Sequence, residues 1–585
     1  MMKEVNLFSA FILLLLLSIS LKAEENYWQQ WVHYGMEVSL DTAEHSLSGT
    51  SNITYVNKSP DSLHRIYMHL YPNAFQVGSV KYREYKRRHY SGGISEDKPS
   101  FIRIDRFDIQ NGDTTVPIEV KIDDTILEAE LPSPLSPGDT LTFELDWVHQ
   151  VREHNDRAGY KDDQYDFAQW YPKMVVYDKH GWQNIPFHAI GEFYGEFGTY
   201  DVKIDVPGGY IVGASGVVTD GDPGWSAVAV DTSIELDEWL ESREESTTDS
   251  AVRRLVTFHA EQVHDFAWIT SPNFLYESGE WNGIDIHVLY DSEKGRDWTK
   301  EVVKRGGRVL EWLTTKFGEY PYPQVTITHA MLGGGMEYPN VTVIGESGSA
   351  YLLEEVIMHE VGHNWFYGML GNNERLHPWM DEGLNSHNEM RYMRTKYPDY
   401  NMFLQFVPKR IKGILDLEYY TNKQVSGELM YMMNAWTGKD QPIELHSAEY
   451  TEMNYGGIVY SKTAIVFDYL MAYLGEDVYD KCMQTYFERW QYKHPQPEDL
   501  RAVFEEISGK NLSWFFEDVI KTTKQLDYSI IGIQKETKDL LITLENKGDI
   551  VGPVVISGVK DAKSMSPLWI DGFEGKKVCR YFNGD

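Results

Sequence analysis

The pentapeptide His359-Glu360-Val361-Gly362-His363 restricts the fold more than any other stretch of this 585-residue chain, because its side chains make chemical sense only on a helix. Histidines at i and i+4 leave one helix face together, so two imidazoles converge on one point. Leu352, Leu353, Val356 and Ile357 around them fit a helix, and Glu354 and Glu355 suit its positive N-terminal end. Such a histidine pair can reach a single metal ion, and Glu360 beside that face is placed to handle a metal-bound water.

The rest of the composition narrows what can surround this helix. The net charge of −35, from 54 basic and 89 acidic side chains, argues against nucleic acid and anionic lipid, both of which would repel such a surface. Lys3 and the apolar run Leu7 to Leu21 resemble a secretory signal peptide, with Ala23 as a small residue for cleavage. The run is short for a membrane span of about 20 residues. The expectation is an exported protein, periplasmic or extracellular, with a membrane anchor only if the segment stays uncleaved. Cys482 and Cys579 are the only cysteines, so no disulfide framework is expected, though these two would pair if the fold brought them close.

Hydropathy patterning divides the chain into 1–23 (leader), 24–274, 275–524 and 525–585. Alternating stretches such as Gly49 to Val56 and Tyr200 to Val206, broken by Gly, Pro and Asp turns, predict a large antiparallel β domain. The acidic stretch from Asp237 to Ser250 reads as an exposed excursion within it. A helix over Trp298 to Phe317, a strand over Val325 to Thr328, the metal-site helix and a mainly helical region to about Thr523 follow. Strands return at Leu540 to Leu544 and Val551 to Ile556, in a segment small enough to be an incomplete domain. No internal repeat is present.

Two histidines leave a metal site short of its usual three protein ligands plus water. Downstream, His377, Asp381, Glu382, His387 and Glu389 are available, and a second helix starting near Pro378 would present one of them. Spacing alone does not decide between Asp381 and Glu382.

H-E-x-x-H followed after eighteen residues by Glu resembles the gluzincin zinc aminopeptidases, the aminopeptidase N family that includes leukotriene hydrolase. Gly334-Gly335-Met336-Glu337-Tyr338 resembles that family's G-x-M-E-N motif, and Tyr460-Ser461-Lys462-Thr463-Ala464 its Tyr-x-Lys-Gly segment. The resemblance implies an α+β multidomain enzyme: an N-terminal antiparallel β saddle, a thermolysin-like, mainly α catalytic domain and a small C-terminal β segment. It implies one Zn2+ per chain held by His359, His363 and Glu382, Glu360 as general base and Tyr460, rather than Tyr455, as the oxyanion donor. Gly334, Gly335 and Met336 would border the peptide, Glu337 would bind its free α-amine, and Gln169 would help. Tyr338 and Tyr171 depart from the family pattern at that amine end, which puts the strictness of exopeptidase action in question. The implied function is hydrolysis of the N-terminal peptide bond of peptides with a free N-terminus. An endopeptidase with the same metal site and a non-catalytic binding protein on this fold are the alternatives.

Overall fold

A computed structural model describes residues 27–582 apart from 91–92, 112–113, 154–155, 243–251, 332, 399–422, 537–538, 561–562 and 565. The signal-peptide run lies outside the described residues, as does most of the acidic excursion, of which the helix Leu236–Ser242 is described. Among the described residues no helix is long and apolar enough to cross a membrane.

The N-terminal region is built on an eight-stranded sheet in the order Val217–Gly221, Arg253–Val263, Gly198–Pro207, Trp31–Asp41, Ser46–Val56, Thr140–Gln150, Phe101–Asn111 and Thr114–Pro117. Strict alternation places Val32, Tyr34, Met36, Val38 and Leu40 in the core, the period-two pattern of a sheet buried on one side. Gly49 is needed in this sheet because the Trp147 indole lies across it; a Cβ there would stand 2.2 Å from the ring.

One pairing departs from the antiparallel expectation. Trp31–Asp41 runs parallel to Gly198–Pro207. Alternation has the same period in both arrangements, so the sequence pattern does not distinguish them. The long excursion between these strands supplies the crossover that a parallel pair requires.

A mixed five-stranded sheet follows: Phe274–Trp281, Ile284–Asp291, Gln324–His329, Val341–Ile344 and the short edge strand Gly335–Met336. The helix expected over 298–317 is two helices, Gly295–Trp298 and Val302–Lys316. Lys300 breaks it by adopting φ +64°, the left-handed region. The metal-site helix Ala350–Gly362 leaves the five-stranded sheet and is capped by Ser349, whose Oγ accepts from Leu352 N at 3.2 Å.

Helices Glu382–Lys396, Lys423–Ala435, Thr463–Leu474, Glu476–Trp490 and Pro497–Ser508 complete the helical region. The last strands, Tyr528–Glu536, Asp539–Asn546 and Lys576–Phe582, form a small sheet over its own core of Ile542, Leu544, Ile556, Ile570 and Tyr581. Cys482 lies buried on a helix and Cys579 on this terminal sheet; both are free.

Candidate functional site

The metal-site helix and Glu382–Lys396 pack closely enough at Gly362 to leave no room there for a Cβ. A Cβ on Gly362 would lie 2.3 Å from Asn385 Oδ1, and Asn385 Nδ2 donates to the His359 carbonyl at 2.7 Å. This contact carries Glu382 to the histidines. His359 Nε2 is 3.1 Å from His363 Nε2 and 3.1 Å from Glu382 Oε2, and His363 Nε2 is 3.3 Å from Glu382 Oε2.

Two carboxylates settle the tautomers. His363 Nδ1 lies 2.6 Å from Asp381 Oδ1, and His359 Nδ1 lies 3.1 Å from Glu389 Oε2. An ionised carboxylate only accepts hydrogen bonds, so each Nδ1 carries the proton and each Nε2 presents a lone pair. With both imidazoles neutral, two lone pairs and a carboxylate oxygen face one another, an arrangement that a bound cation, or failing that a proton on an imidazole, makes favourable. Metal–nitrogen bonds of about 2.0–2.1 Å at tetrahedral angles set donor atoms roughly 3.3 Å apart, which this triangle matches. The three residues therefore fit one zinc ion. Of the two acids that spacing left open, Glu382 faces both Nε2 atoms, while Asp381 contacts His363 at Nδ1. His377 pairs with Glu444, and His387 lies 3.0 Å from the Tyr479 hydroxyl; both stand away from the metal ligands.

A cleft of about 340 Å³ opens on this triangle, with Glu360, Gly335, Glu337 and Tyr460 in its wall. Glu360 is buried, and burial pushes its carboxyl up to about 7 against the pull of the neighbouring imidazoles. Gly335 holds it in place from the other side: a Cβ there would lie 2.4 Å from Glu360 Cδ, Cγ and Oε1 alike. Tyr460 donates to Glu382 Oε1 and stacks on the His359 ring at 5.9 Å. It sits on a π-helical turn, Tyr455–Lys462, a backbone form that recurs at functional sites. Lys462 anchors that turn through Asp440 at 2.9 Å. Tyr455 packs edge-on against Tyr460, ring centroids 5.9 Å apart, and is not among the residues lining the cleft.

Glu337 is 3% exposed, and its Oε1 has no hydrogen-bond partner among the described residues. Burial, reinforced by the charges of Glu192, Glu382 and Glu360, raises its pKa well above the carboxylate range, and the His363 charge opposes this. Met336 and Gly334 flank the cleft beside it. Gln169 likewise has a buried Oε1 with no partner among the described residues. It is buried at φ +49°, its Nε2 donating to Asp265 Oδ2 at 3.2 Å, in a polar cluster with Lys173 and Tyr171 on the same aspartate. It is not among the cleft-lining side chains.

Three residues in functional positions escaped sequence reasoning in those roles. Glu389 follows Glu382 by seven residues, two helical turns, so the shared face was a usable signal for its contact with His359. Arg157 and Glu192 line the cleft from turns of the N-terminal region, and no local pattern marks them.

With this geometry in hand, comparison with known proteins is specific. Residues 303–519 match the Peptidase family M1 domain. Aminopeptidase M1-C of Oryza sativa subsp. japonica is 26% identical over 238 residues, 38% of this chain and 24% of that protein. The puromycin-sensitive aminopeptidase of Caenorhabditis elegans is 22% identical over 258 residues, 41% and 25% respectively. The chain thus spans about a quarter of the length of these relatives. The M1 zinc metallopeptidase from Deinococcus radiodurans shares the fold with a TM-score of 0.58, over 85% of this chain and 95% of that one, at 13% identity. A mutant of that metallopeptidase bound to a Tyr-Ser-Ala substrate gives 0.57 at 13% identity, over 85% and 96%. Over residues 303–519, which hold the three zinc-competent ligands and Tyr460, the chain carries a peptidase family M1 domain, of the gluzincin aminopeptidase N type.

Proposed function

We propose that this chain is a zinc-dependent aminopeptidase that hydrolyses the first peptide bond of peptides with a free N-terminus. One observation carries the reading: Glu337, beside the metal ligands, holds a buried carboxylate oxygen with no partner among the described residues. Leaving such a group unsatisfied is costly, and an α-ammonium one residue from the scissile bond satisfies it. Glu337 then fixes the register, because a chain anchored by its terminus presents only its first carbonyl to the metal.

Bound zinc, held by His359, His363 and Glu382, supplies a Lewis acid and a water whose pKa falls toward neutrality. The protein's own side chains do the rest. Glu360 accepts a proton at its carboxylate and passes one to the departing amine. The Tyr460 hydroxyl donates to the carbonyl oxygen as negative charge grows there, turning from Glu382 Oε1 to do so. Gly335–Met336 is the last strand of its sheet, so its outer edge is open to pairing with a peptide backbone.

The test is hydrolysis of one leucine-initiated peptide, free and N-acetylated, by the wild type and by Glu360→Gln. Cleavage of the free form alone, lost in the variant with zinc retained, is the expected result. Cleavage of the acetylated peptide would transfer the reading to an endopeptidase using the same metal site. For location, we propose export directed by Lys3 and the run Leu7 to Leu21. Secretion of the full chain with its first residues removed would bear this out, and retention in the cytoplasm would refute it.

A further inference from the structure

The cleft is lined mostly by the edge strand Gly335–Met336 with its flanking residues and by the helices that follow it. Among its lining side chains only Arg157 and Glu192 come from the N-terminal region, and they arrive as an ion pair, Arg157 Nη2 donating to Glu192 Oε2 at 2.5 Å. We propose that Glu192, oriented by Arg157, is the second carboxylate that grips the substrate's α-ammonium, in the role for which the sequence nominated Gln169. This inference rests on the aminopeptidase reading above.

An ammonium has three N–H donors, and one oxygen of Glu337 answers one of them. Glu337 Oε1 is buried and unpartnered among the described residues, which by itself points to a cationic ligand in this recess. Glu192 faces the same cleft with its Oε2 engaged by Arg157, so Oε1 remains for a second N–H. Gln169 donates its Nε2 to Asp265 and is not among the residues lining the cleft, whereas Glu192 is.

Glu192 is also held as a binding group has to be. Arg375 Nη1 donates to the Ile190 carbonyl at 3.2 Å, pinning the turn just before Glu192 to the catalytic region. Gly191 has φ +102°, and a Cβ on it would lie 2.1 Å from Ser447 Oγ, so the turn fits against that region with no space to spare. Upstream, Ala189 N donates to Glu84 Oε2 at 2.8 Å. Fixed from both sides, the carboxylate loses little entropy on engaging a ligand. Arg157 acts through it as a positioning residue: its guanidinium fixes where the Glu192 carboxylate points.

The decisive experiment uses two zinc chelators that differ only in the amine, leucine hydroxamate and its des-amino counterpart, with the metal-loaded wild type and with Glu192→Gln and Glu192→Ala. Both inhibitors hold the metal alike, so the ratio of their inhibition constants reports the ammonium contact alone. The wild type is expected to favour leucine hydroxamate. Both variants should lose about 10- to 100-fold of its affinity, the contribution of one charge-assisted hydrogen bond, while the des-amino inhibitor moves by less than about threefold. KM for a leucine-initiated peptide should rise more than kcat falls. A wild-type ratio preserved in both variants, or parallel loss of both inhibitors, would overturn the role of Glu192. A wild type that does not distinguish the two inhibitors would instead remove the aminopeptidase reading, and this inference with it.

Discussion

Gly335→Ala is a one-methyl test of how Glu360 is placed. The backbone of Gly335 is outside the left-handed region, so alanine is tolerated there conformationally. The new Cβ, however, would stand 2.4 Å from Glu360 Cγ, Cδ and Oε1. Carbon atoms settle about 3.5–4.0 Å apart, so the Glu360 side chain has to retreat by roughly 1 Å. Turning the carboxylate alone gives no relief, because Cγ is struck as well. A misplacement of about 1 Å in a catalytic group costs about 100-fold in rate. The displaced atoms are the end of one side chain, so stability should change by under about 1 kcal/mol. The assay is kcat on a leucine-initiated peptide beside zinc content and Tm. The expected outcome is a kcat lower by about two orders of magnitude, with one zinc per chain and a Tm within a few degrees of wild type. A kcat within about threefold would mean that Glu360 is not held where it acts, or is not the base.

Further outcomes follow from the same geometry. Tyr460→Phe should keep zinc and KM but lower kcat by about 100- to 1000-fold, the usual cost of one oxyanion donor; an unchanged kcat would return that role to Tyr455. The folded chain holds the two Nε2 atoms and Glu382 Oε2 at 3.1–3.3 Å spacing, ready for a metal that the unfolded chain does not grip, so the chelated protein should melt lower and recover on adding zinc. A Tm indifferent to chelation would argue against a preformed metal site. His149 and His264 are buried, and desolvation lowers both to about 3, with the Lys173 charge adding to the effect at His264. Their folded pKa values lie below the ordinary value of about 6.5, so the unfolded chain binds more protons between about pH 6.5 and 3. Their stabilising contribution is therefore complete above that window, and each loses about 1.4 kcal/mol per pH unit as the pH falls through it. Urea midpoints at pH 7 and pH 5 measure this; equal midpoints would refute it.

What was legible in the sequence was whatever a short stretch of chain decides by itself. The metal-site helix could be placed because His359 and His363 are one turn apart within a run whose apolar residues fit a helix. The long strands Ser46–Val56 and Gly198–Pro207 announce themselves by alternation. The break at Lys300 was hidden, because a single left-handed residue leaves no trace in hydropathy. The same limit explains the two ends of the cleft. Glu337 was legible only through the resemblance of its stretch to a family motif, and the fold brings it into one cleft with His359, Glu360 and Glu382. Gln169 also lay in a stretch that matched a pattern, and its Nε2 donates to Asp265, the aspartate that Lys173 and Tyr171 also engage.

Glu192 had no such pattern, because what makes it a candidate is distributed over the whole chain. Its ion-pair partner Arg157 lies 35 residues earlier. The turn that carries it is held against Arg375 and Ser447, residues far along the chain. Each of these is an ordinary surface-type residue in sequence, and only the closing of two regions on one another turns them into a site. Local pattern therefore locates the residues that bind metal and move protons, since one helix pair supplies them. The residues that select the substrate sit where separate regions meet, and the amine end of this cleft is such a place. Mutating Arg157 tests that division: if Glu192 is a product of assembly, Arg157→Met should weaken leucine hydroxamate and spare its des-amino counterpart, as the Glu192 variants do. Equal loss of both would mean that Arg157 serves the fold alone.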